Sequence, residues 1–228
     1  MKKKRVNTTK LVIIQTALRL FLENGFSNTS ARALCNELGI SLGNLTFYFP
    51  SKDHLLAVLI EMLCDFQWKL MKEEADDGIS LVLAICLELM VMTSAAEENE
   101  TAKDLFVSAY KCPMTLEIIR KNDSQRAKTV FSEYCPDWTD EQFKQAEILV
   151  SGIEYATLMT TETSTPLDVR ISGALDAILY IYNVPEETRK IKIQKVLSMD
   201  YKKIGSRIFQ EFKEYIEQVN EQAFNELF

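Results

Sequence analysis

The chain has 228 residues, of which 47% are hydrophobic and 26% charged, and its formal net charge is −7. This composition is typical of a globular protein and excludes wholesale disorder. The apolar runs at 55–60 and 81–87 are far shorter than the ~20 residues that a membrane span needs, and no uninterrupted apolar stretch follows the basic N-terminus, so we expect a soluble, cytoplasmic protein.

Charge is distributed unevenly along the chain. Residues 1–54 carry eight Lys and Arg against three acids, whereas the remaining residues are strongly acidic. A basic segment on an acidic body is typical of a protein that meets a polyanion through one end. The five cysteines are odd in number and form no C-x-x-C pair, which indicates a reduced compartment.

The pattern of apolar residues predicts helices throughout and almost no strands. A first helix ends at Gly25, a second spans about 30–38, a third spans about 41–48 and a fourth runs from Lys52 to about 74, because Pro50 forbids continuation of the third. Seven longer helices follow, near 79–96, 100–111, 114–134, 139–162, 166–182, 186–199 and 201–226. We therefore predict an all-α protein with an N-terminal domain over 1–50 and a larger helical domain over 51–228.

The second and third helices form a helix-turn-helix pattern. Gly39 supplies the positive φ that the turn needs, and Ile40 is expected to pack between the two helices. The third helix is then free to project residues outward, and one helix of this size fits a DNA major groove. These outward residues are Leu42, Gly43, Asn44, Thr46, Phe47 and Tyr48.

This stretch resembles the TetR family of bacterial transcriptional regulators. The resemblance covers about residues 10–58 and rests on Ile14, Ala17, Leu18, Phe21, Gly25, Phe26, Thr29, Ser30, Arg32, Leu34, Gly39-Ile40-Ser41, Gly43, Leu45, Phe49, Ser51-Lys52 and Leu55-Leu56. It implies an all-helical homodimer that binds an inverted-repeat operator and releases it when a small molecule enters the C-terminal domain. Most members of this family are repressors. A helical protein-interaction module without operator binding remains the alternative.

Three positions depart from the family pattern. Thr46 stands where tyrosine is usual, so a tyrosine-type base contact is in doubt. Leu42 stands where lysine is common, which removes one phosphate contact and offers an apolar contact to a thymine methyl group. Cys35 replaces a usual alanine as a small buried group.

Motif and resemblance together give a set of expected DNA-binding residues. Hydroxyl and basic groups around the helix-turn-helix would hold phosphates, although the same hydroxyls also cap helices. The basic run at 2–5 is either an arm that follows the DNA or a solubilising tail. The expected set is Thr29, Ser30, Arg32, Ser41, Leu42, Gly43, Asn44, Thr46, Phe47, Tyr48 and Lys52.

An enzymatic interpretation is possible but poorly supported. Residues 39–43 match the G-x-S-x-G nucleophile elbow of esterases, which requires a strand before the serine and a histidine held by a separate carboxylate. A helix is predicted before Ser41, and His54 has only its neighbour Asp53 nearby. No metal, phosphate-loop or dinucleotide motif occurs, so we expect no catalytic residue, no metal and no cofactor.

Two glutamates stand alone in apolar segments of the body. Glu88 and Glu154 are each the single charge in their segment, and a carboxylate in such a segment needs a partner or water. One solution is an effector pocket in which they recognise a cationic or hydrogen-bond-donating group; the other is a solvated helix edge or a dimer interface. The expected pocket residues are Glu88, Met92, Phe106, Tyr110, Glu154, Tyr155 and Met159.

Small residues on two late helices suggest how the homodimer forms. Gly152 and Ala156 are four residues apart, as are Gly173 and Ala177, so each pair lies on one helical face and permits close approach. Close packing within one subunit is the alternative. The predicted function is ligand-responsive transcriptional regulation, most often repression, with double-stranded DNA, a small-molecule effector and a second copy of the chain as partners.

Overall fold

The computed structural model describes residues 2–76 and 80–219, and every regular element in them is an α-helix. No helix in these ranges is long and apolar enough to cross a membrane. The all-α prediction is therefore confirmed. The helices are α1 Lys2–Asn24, α2 Ala31–Leu38, α3 Leu42–Tyr48, α4 Lys52–Asp76, α5 Leu81–Glu98, α6 Glu100–Lys111, α7 Pro113–Val130, α8 Asp140–Leu158, α9 Leu167–Ile181, α10 Glu186–Leu197 and α11 Tyr201–Gln218.

Local sequence signals fix the short helices near the N-terminus. The side chains of Ser30 and Ser41 cap α2 and α3 by accepting hydrogen bonds from backbone N–H groups three residues on. Between the two helices, Gly39 adopts a φ of 64°, which an L side chain tolerates poorly. The turn predicted at Gly39 is thus the one that forms.

Two predicted helix ends lie four residues beyond the observed ones. The helix predicted to reach residue 134 ends at Val130, where the next residue stacks its ring on Tyr182 with centroids 4.2 Å apart, and the chain turns before Pro136. The helix predicted to reach 162 ends at Leu158, because hydroxyl groups in 160–164 bond the local backbone instead. The last helix is described to Gln218, and its predicted continuation to 226 lies outside the described residues.

Two clusters of buried apolar side chains organise the described residues. The first joins α1, α2, α3 and α4 to parts of α6, α7 and α11, and it includes both Phe49 and Leu55. The second lies between α5, α7, α8, α9 and α10. Because the first cluster continues across residue 50, the helix-turn-helix shares its apolar core with the long α4 and has no flexible link to it.

Candidate functional site

The helix-turn-helix presents an exposed helix with only one buried side chain. Leu45 packs inward at 3% exposure, and Leu34 of α2 is fully buried beside it in the first cluster. Ile40 is half-buried against the same cluster, as expected of the turn. On the outer side Leu42 is 47% and Phe47 75% exposed, which is unusual for large apolar side chains.

Most of the remaining expected DNA-binding residues are also accessible. Exposed residues of this set are Ser30, Arg32, Ser41, Gly43, Asn44 and Thr46. Tyr48 is half-buried, with its ring 5.1 Å from that of Phe47 in an edge-on arrangement. α3 therefore offers apolar, amide and hydroxyl groups together on one surface.

Thr29 is placed differently from this set. Its side chain is only 2% exposed, and its hydroxyl lies 2.7 Å from the carbonyl oxygen of Gly25 and 3.2 Å from that of Leu20. A hydroxyl has one proton to donate, and this one is used inside the chain. The phosphate contact expected of Thr29 is therefore without structural support, and its hydroxyl instead holds the loop between α1 and α2.

Lys52 is engaged within the chain at the start of α4. Its ammonium group donates to the carbonyl oxygen of Phe26 at 2.6 Å and lies 4.1 Å from the centroid of the Phe26 ring. Burial lowers the pKa of Lys52 below its ordinary value, opposed by the charges of Asp104 and Asp53. An ammonium has three donors, so this contact leaves N–H groups for a phosphate while fixing where the side chain lies.

The surroundings of Ser41 do not match a hydrolase nucleophile. A helix, α2, precedes this serine where an elbow would need a strand. The imidazole of His54 is hydrogen-bonded to Ser51 at 2.8 Å, through Nδ1 and the hydroxyl oxygen.

A cavity of about 70 Å³ lies within the helical body and is lined by residues of α4, α5, α6, α7, α8 and α9. Five of the seven expected pocket residues line it, namely Glu88, Met92, Phe106, Tyr110 and Glu154. The other two do not: Met159 is 43% exposed at the surface, and Tyr155 lies with its ring 6.3 Å from that of Tyr110.

An ion pair between a buried arginine and a half-buried glutamate forms one wall of this cavity. The guanidinium of Arg126, 2% exposed, contacts the carboxylate of Glu88 and lies 3.5 Å from Asp123. Gln67 also donates to Glu88, at 2.6 Å. The charges of Glu88 and Asp123 raise the pKa of Arg126 above its ordinary value, although burial opposes this shift. The partner that Glu88 needed is therefore an arginine of α7.

Two further carboxylates face the cavity from α8. Glu147 is buried and accepts a hydrogen bond from the hydroxyl of Tyr182, and Glu154 accepts one from Tyr110 at 2.9 Å. Burial raises the pKa of Glu147 to about 8, raises that of Glu154 well above its ordinary value and raises that of Asp123 to about 7. Each of these carboxyl groups therefore holds its proton to a higher pH than in water.

Sequence reasoning missed four of these cavity residues. Arg126 and Asp123 belong to α7, a helix of low mean hydropathy, and Tyr182 follows the last residue of α9. Glu147 directly precedes the apolar window 148–161 that singled out Glu154. The helical spacing of seven residues between the two glutamates was the signal that could have paired them.

A second surface lies on α8 and α9. Ile148, Leu149, Val169 and Tyr180 are each more than half exposed. The small residues predicted to allow close helix approach lie exposed on the same two helices. No heavy atom outside the local backbone comes within 4 Å of a Cβ placed on Gly152 or on its counterpart in α9. Packing within this subunit therefore does not account for these glycines.

Comparison with known proteins identifies relatives of this chain. A family model described as bacterial regulatory proteins, tetR family, matches residues 13–59, which include α2 and α3. The HTH-type transcriptional regulator PksA of Bacillus subtilis (strain 168) is 25% identical over 191 residues, covering 81% of this chain and 84% of that protein.

Two further relatives in the same organism match shorter stretches. The uncharacterized HTH-type transcriptional regulator YuxN is 41% identical over 54 residues, which are 24% of this chain and 19% of that protein. The uncharacterized HTH-type transcriptional regulator YerO is 35% identical over 72 residues, which are 32% of this chain and 25% of that protein. No solved structure matches the chain.

Proposed function

We propose that this chain, which matches the TetR family of transcriptional regulators over residues 13–59, is a ligand-responsive repressor that acts as a homodimer on a palindromic operator in the cytoplasm. DNA binding through a helix-turn-helix is the property of the family. The single observation that carries the proposal is the exposed outer face of α3, where Leu42 is 47% and Phe47 75% exposed. No catalytic step is part of this function.

The proposed DNA contacts divide into two classes. Asn44 and Thr46, with Leu42, Gly43, Phe47 and Tyr48, would read base edges, because amide, hydroxyl and methyl-contacting groups discriminate bases in the major groove. Ser30, Arg32, Ser41 and Lys52 would hold phosphates around that helix and fix its position. Thr29 is left out because its hydroxyl is buried.

We place the dimer interface on the apolar face of α8 and α9. Exposed Ile148 and Leu149 flank Gly152 there, and Val169 and Tyr180 flank the small residues of α9. An isologous contact of this face with itself would bury these side chains and let the helices approach closely. Within each subunit we propose a DNA-binding domain over 1–50 and an effector and dimerisation domain over 51–228.

The effector would act through α6. Phe106 and Tyr110 line the cavity. One turn earlier, Asp104 accepts a hydrogen bond from the backbone N–H of Ser27 at 2.7 Å, and the hydroxyl of Thr101 donates to the end of α1 at 2.8 Å. A ligand that displaces α6 would therefore shift the helix-turn-helix and change the spacing of the two copies of α3, a coupling of typically 1–3 kcal/mol.

Selection of bound sites from random double-stranded DNA tests this proposal. A dimer should recover a palindrome with half-sites about one helical turn, ~34–36 Å, or a somewhat longer spacing apart. Asn44→Ala should alter base preference by about 1–3 kcal/mol at a single position, whereas Gln125→Ala on the exposed side of α7 should leave both affinity and preference unchanged. Recovery of unrelated sequences, or no band-shift even at low salt, would favour the interaction module without operator binding.

A further inference from the structure

Acidic side chains outnumber basic ones in the lining of the body cavity. Among the described residues that line it, four carboxylates face one cationic side chain, that of Arg126. Its guanidinium is already shared between Glu88 and Asp123. Glu147 and Glu154 are therefore left without a cation, so their ionised forms are costly away from water and would be stabilised by an incoming cation.

Glu147 carries an unused acceptor in this buried setting. The residue is only 2% exposed, its Oε1 accepts the Tyr182 hydroxyl, and its Oε2 has no hydrogen-bond partner among the residues that the structure describes. Glu154 lies two helical turns further along α8 on the same face and accepts the single proton of Tyr110 through Oε2. Because a phenol donates only one hydrogen bond, both carboxylates keep acceptor capacity toward the cavity.

The orphaned Nε of Arg126 does not argue for an anionic ligand. This atom is also buried without a partner, but the guanidinium charge is met by the two carboxylates beside it. A third anion at that place would be repelled by Glu88 and Asp123 at close range. The unmet demand of the cavity is thus for positive charge and for N–H donors.

An apolar cavity of about 130 Å³ adjoins the first one. The two share Leu63, Gln67, Glu88, Met92 and Phe106 as lining residues. Beyond these the second cavity is lined by apolar residues of α4, α5, α6 and α11. Acidic and apolar compartments side by side are suited to a ligand with a cationic head and an apolar body.

An inorganic cation does not fit this arrangement. Within residues 2–76 and 80–219, no group of three or more His, Cys, Asp or Glu side chains converges in a way that could hold a metal ion. The cation must pair with carboxylates that do not converge on one point, and it must also fill an apolar space. An organic cation meets both requirements.

We infer that the effector is an amphiphilic organic amine whose N–H-bearing ammonium lies between Glu147 and Glu154 and whose apolar part enters the adjoining cavity. The inference rests on the proposed function in taking this cavity as the effector site. Glu147 Oε2 accepts an ammonium proton, so a primary amine binds more tightly than a quaternary ammonium ion of equal charge. Arg126 keeps the Glu88 and Asp123 carboxylates away from the ligand.

The same arrangement makes binding dependent on pH. Glu147 is faced by Tyr182 just after α9, by Asp123 and Arg126 of α7, by Glu88 of α5 and by Glu154 of its own helix, and burial raises its pKa to about 8. An ammonium at this place favours the ionised carboxylate, so binding releases protons at neutral pH. Amine affinity therefore rises between pH 6 and pH 8, while the affinity of a neutral analogue does not change in this way.

Isothermal titration calorimetry on the full chain without DNA tests the inference with four matched probes: octylamine, octyltrimethylammonium, octanol and octanoate. Octylamine should bind about tenfold or more tightly than each of the others, as expected for a charge-assisted hydrogen bond. Glu147→Gln keeps an acceptor for Tyr182 and should abolish the preference for octylamine over octanol without changing octanol affinity. Glu154→Gln should reduce the same preference.

The matched control is Glu141→Gln, since this carboxylate lies on α8 but is exposed and paired with Lys144. It should behave like the wild type, and thermal unfolding of each variant reports its folding. The inference is overturned if octanoate binds best, if octylamine fails to exceed octanol or octyltrimethylammonium, if no probe binds, or if both cavity variants keep the wild-type preference. Such a failure leaves DNA selection unaffected, whereas loss of DNA binding by the free protein would contradict the proposed function alone.

Discussion

The helix-turn-helix and the body cavity satisfy their polar groups in opposite ways. In the helix-turn-helix, Ser30 and Ser41 find partners three residues away, and the outer face of α3 keeps its side chains in solvent. In the cavity, Arg126 and Glu88 are 38 residues apart, and Glu147 and its tyrosine 35 apart. The first site is thus built from local chemistry, while the second exists only when five or more helices have packed.

Because of this difference, substitutions on α3 should mainly affect recognition, and substitutions in the cavity should mainly affect stability. A substitution on α3 changes what the protein presents to an outside partner and removes little from the fold. A substitution in the cavity wall leaves an ionised or polar group buried without its partner, which is among the larger penalties a single residue can impose. Four measurements test this difference between α3 and the cavity wall.

The largest effect is expected for Arg126→Leu. Loss of this guanidinium leaves Glu88 and Asp123 without their cation, and we expect the free energy of unfolding to fall by about 3 kcal/mol. Urea denaturation followed by circular dichroism at fixed protein concentration measures it. The control is Lys128→Leu, which removes an exposed pair with Asp140 and should change stability by about 0.5 kcal/mol or less. Equal losses of unfolding free energy in both variants would mean that the ion pair in the cavity stabilises the fold no more than the exposed pair does.

A smaller loss is expected for Thr29→Val. The buried hydroxyl donates within the loop between α1 and α2, so its removal should lower stability by about 1–2 kcal/mol while the DNA salt dependence stays unchanged. Thr46→Val is the matched variant, since its hydroxyl is exposed and only 3.3 Å from the carbonyl of Gly43. Thr46→Val should weaken DNA binding at little loss of stability. The reverse pattern would return the phosphate contact to Thr29.

The pH dependence of stability is expected to be opposite to that of ordinary salt-bridged carboxylates. Because burial raises the pKa of Glu147 to about 8 and that of Asp123 to about 7, the folded chain binds more protons than the unfolded chain between about pH 4.5 and 8. The stability contributed by these protonated groups is complete below the unfolded pKa values and is lost as the pH rises through the folded ones. Each group adds a slope of up to about 1.4 kcal/mol per pH unit.

Denaturation at pH 5, 6, 7 and 8 measures this slope. Glu147→Gln cannot titrate at this position and should flatten it, whereas Glu141→Gln on the exposed part of α8 should not. A wild-type stability that rises with pH over this range would show that the cavity carboxyls are ionised in the folded chain.

The smallest change in stability is expected for Phe47→Ala. Its ring is 75% exposed, so the free energy of unfolding should change by about 0.5 kcal/mol or less. Operator affinity, measured by fluorescence anisotropy, should nevertheless fall, because the ring lies on the surface proposed to enter the groove. Ile191→Ala, at a residue of α10 that is 63% exposed, should change neither quantity. A clear loss of stability in Phe47→Ala would instead mean that this ring stabilises the fold.

The sequence alone predicts the all-α fold and the helix-turn-helix, and it carries the resemblance to the TetR family. These features depend on short-range rules: a serine or threonine oxygen caps the helix that follows it, Gly39 alone tolerates the left-handed turn, and Pro50 stops α3. The sequence also indicates that Glu88 and Glu154 need a partner or contact with water, since a carboxylate in an apolar helix is costly when it has neither.

The tertiary structure is needed to identify the partners of these glutamates and to show which hydroxyl groups remain exposed. Arg126 of α7 pairs with Glu88 of α5, and Tyr182 at the end of α9 donates to Glu147 of α8, which are contacts between segments far apart in the chain. Thr29 looked like a phosphate donor and is buried, and Lys52 is bound to Phe26. Hydrogen bonds and ion pairs between distant segments depend on how helices are oriented in space, and helical periodicity specifies a face but not the neighbour that covers it.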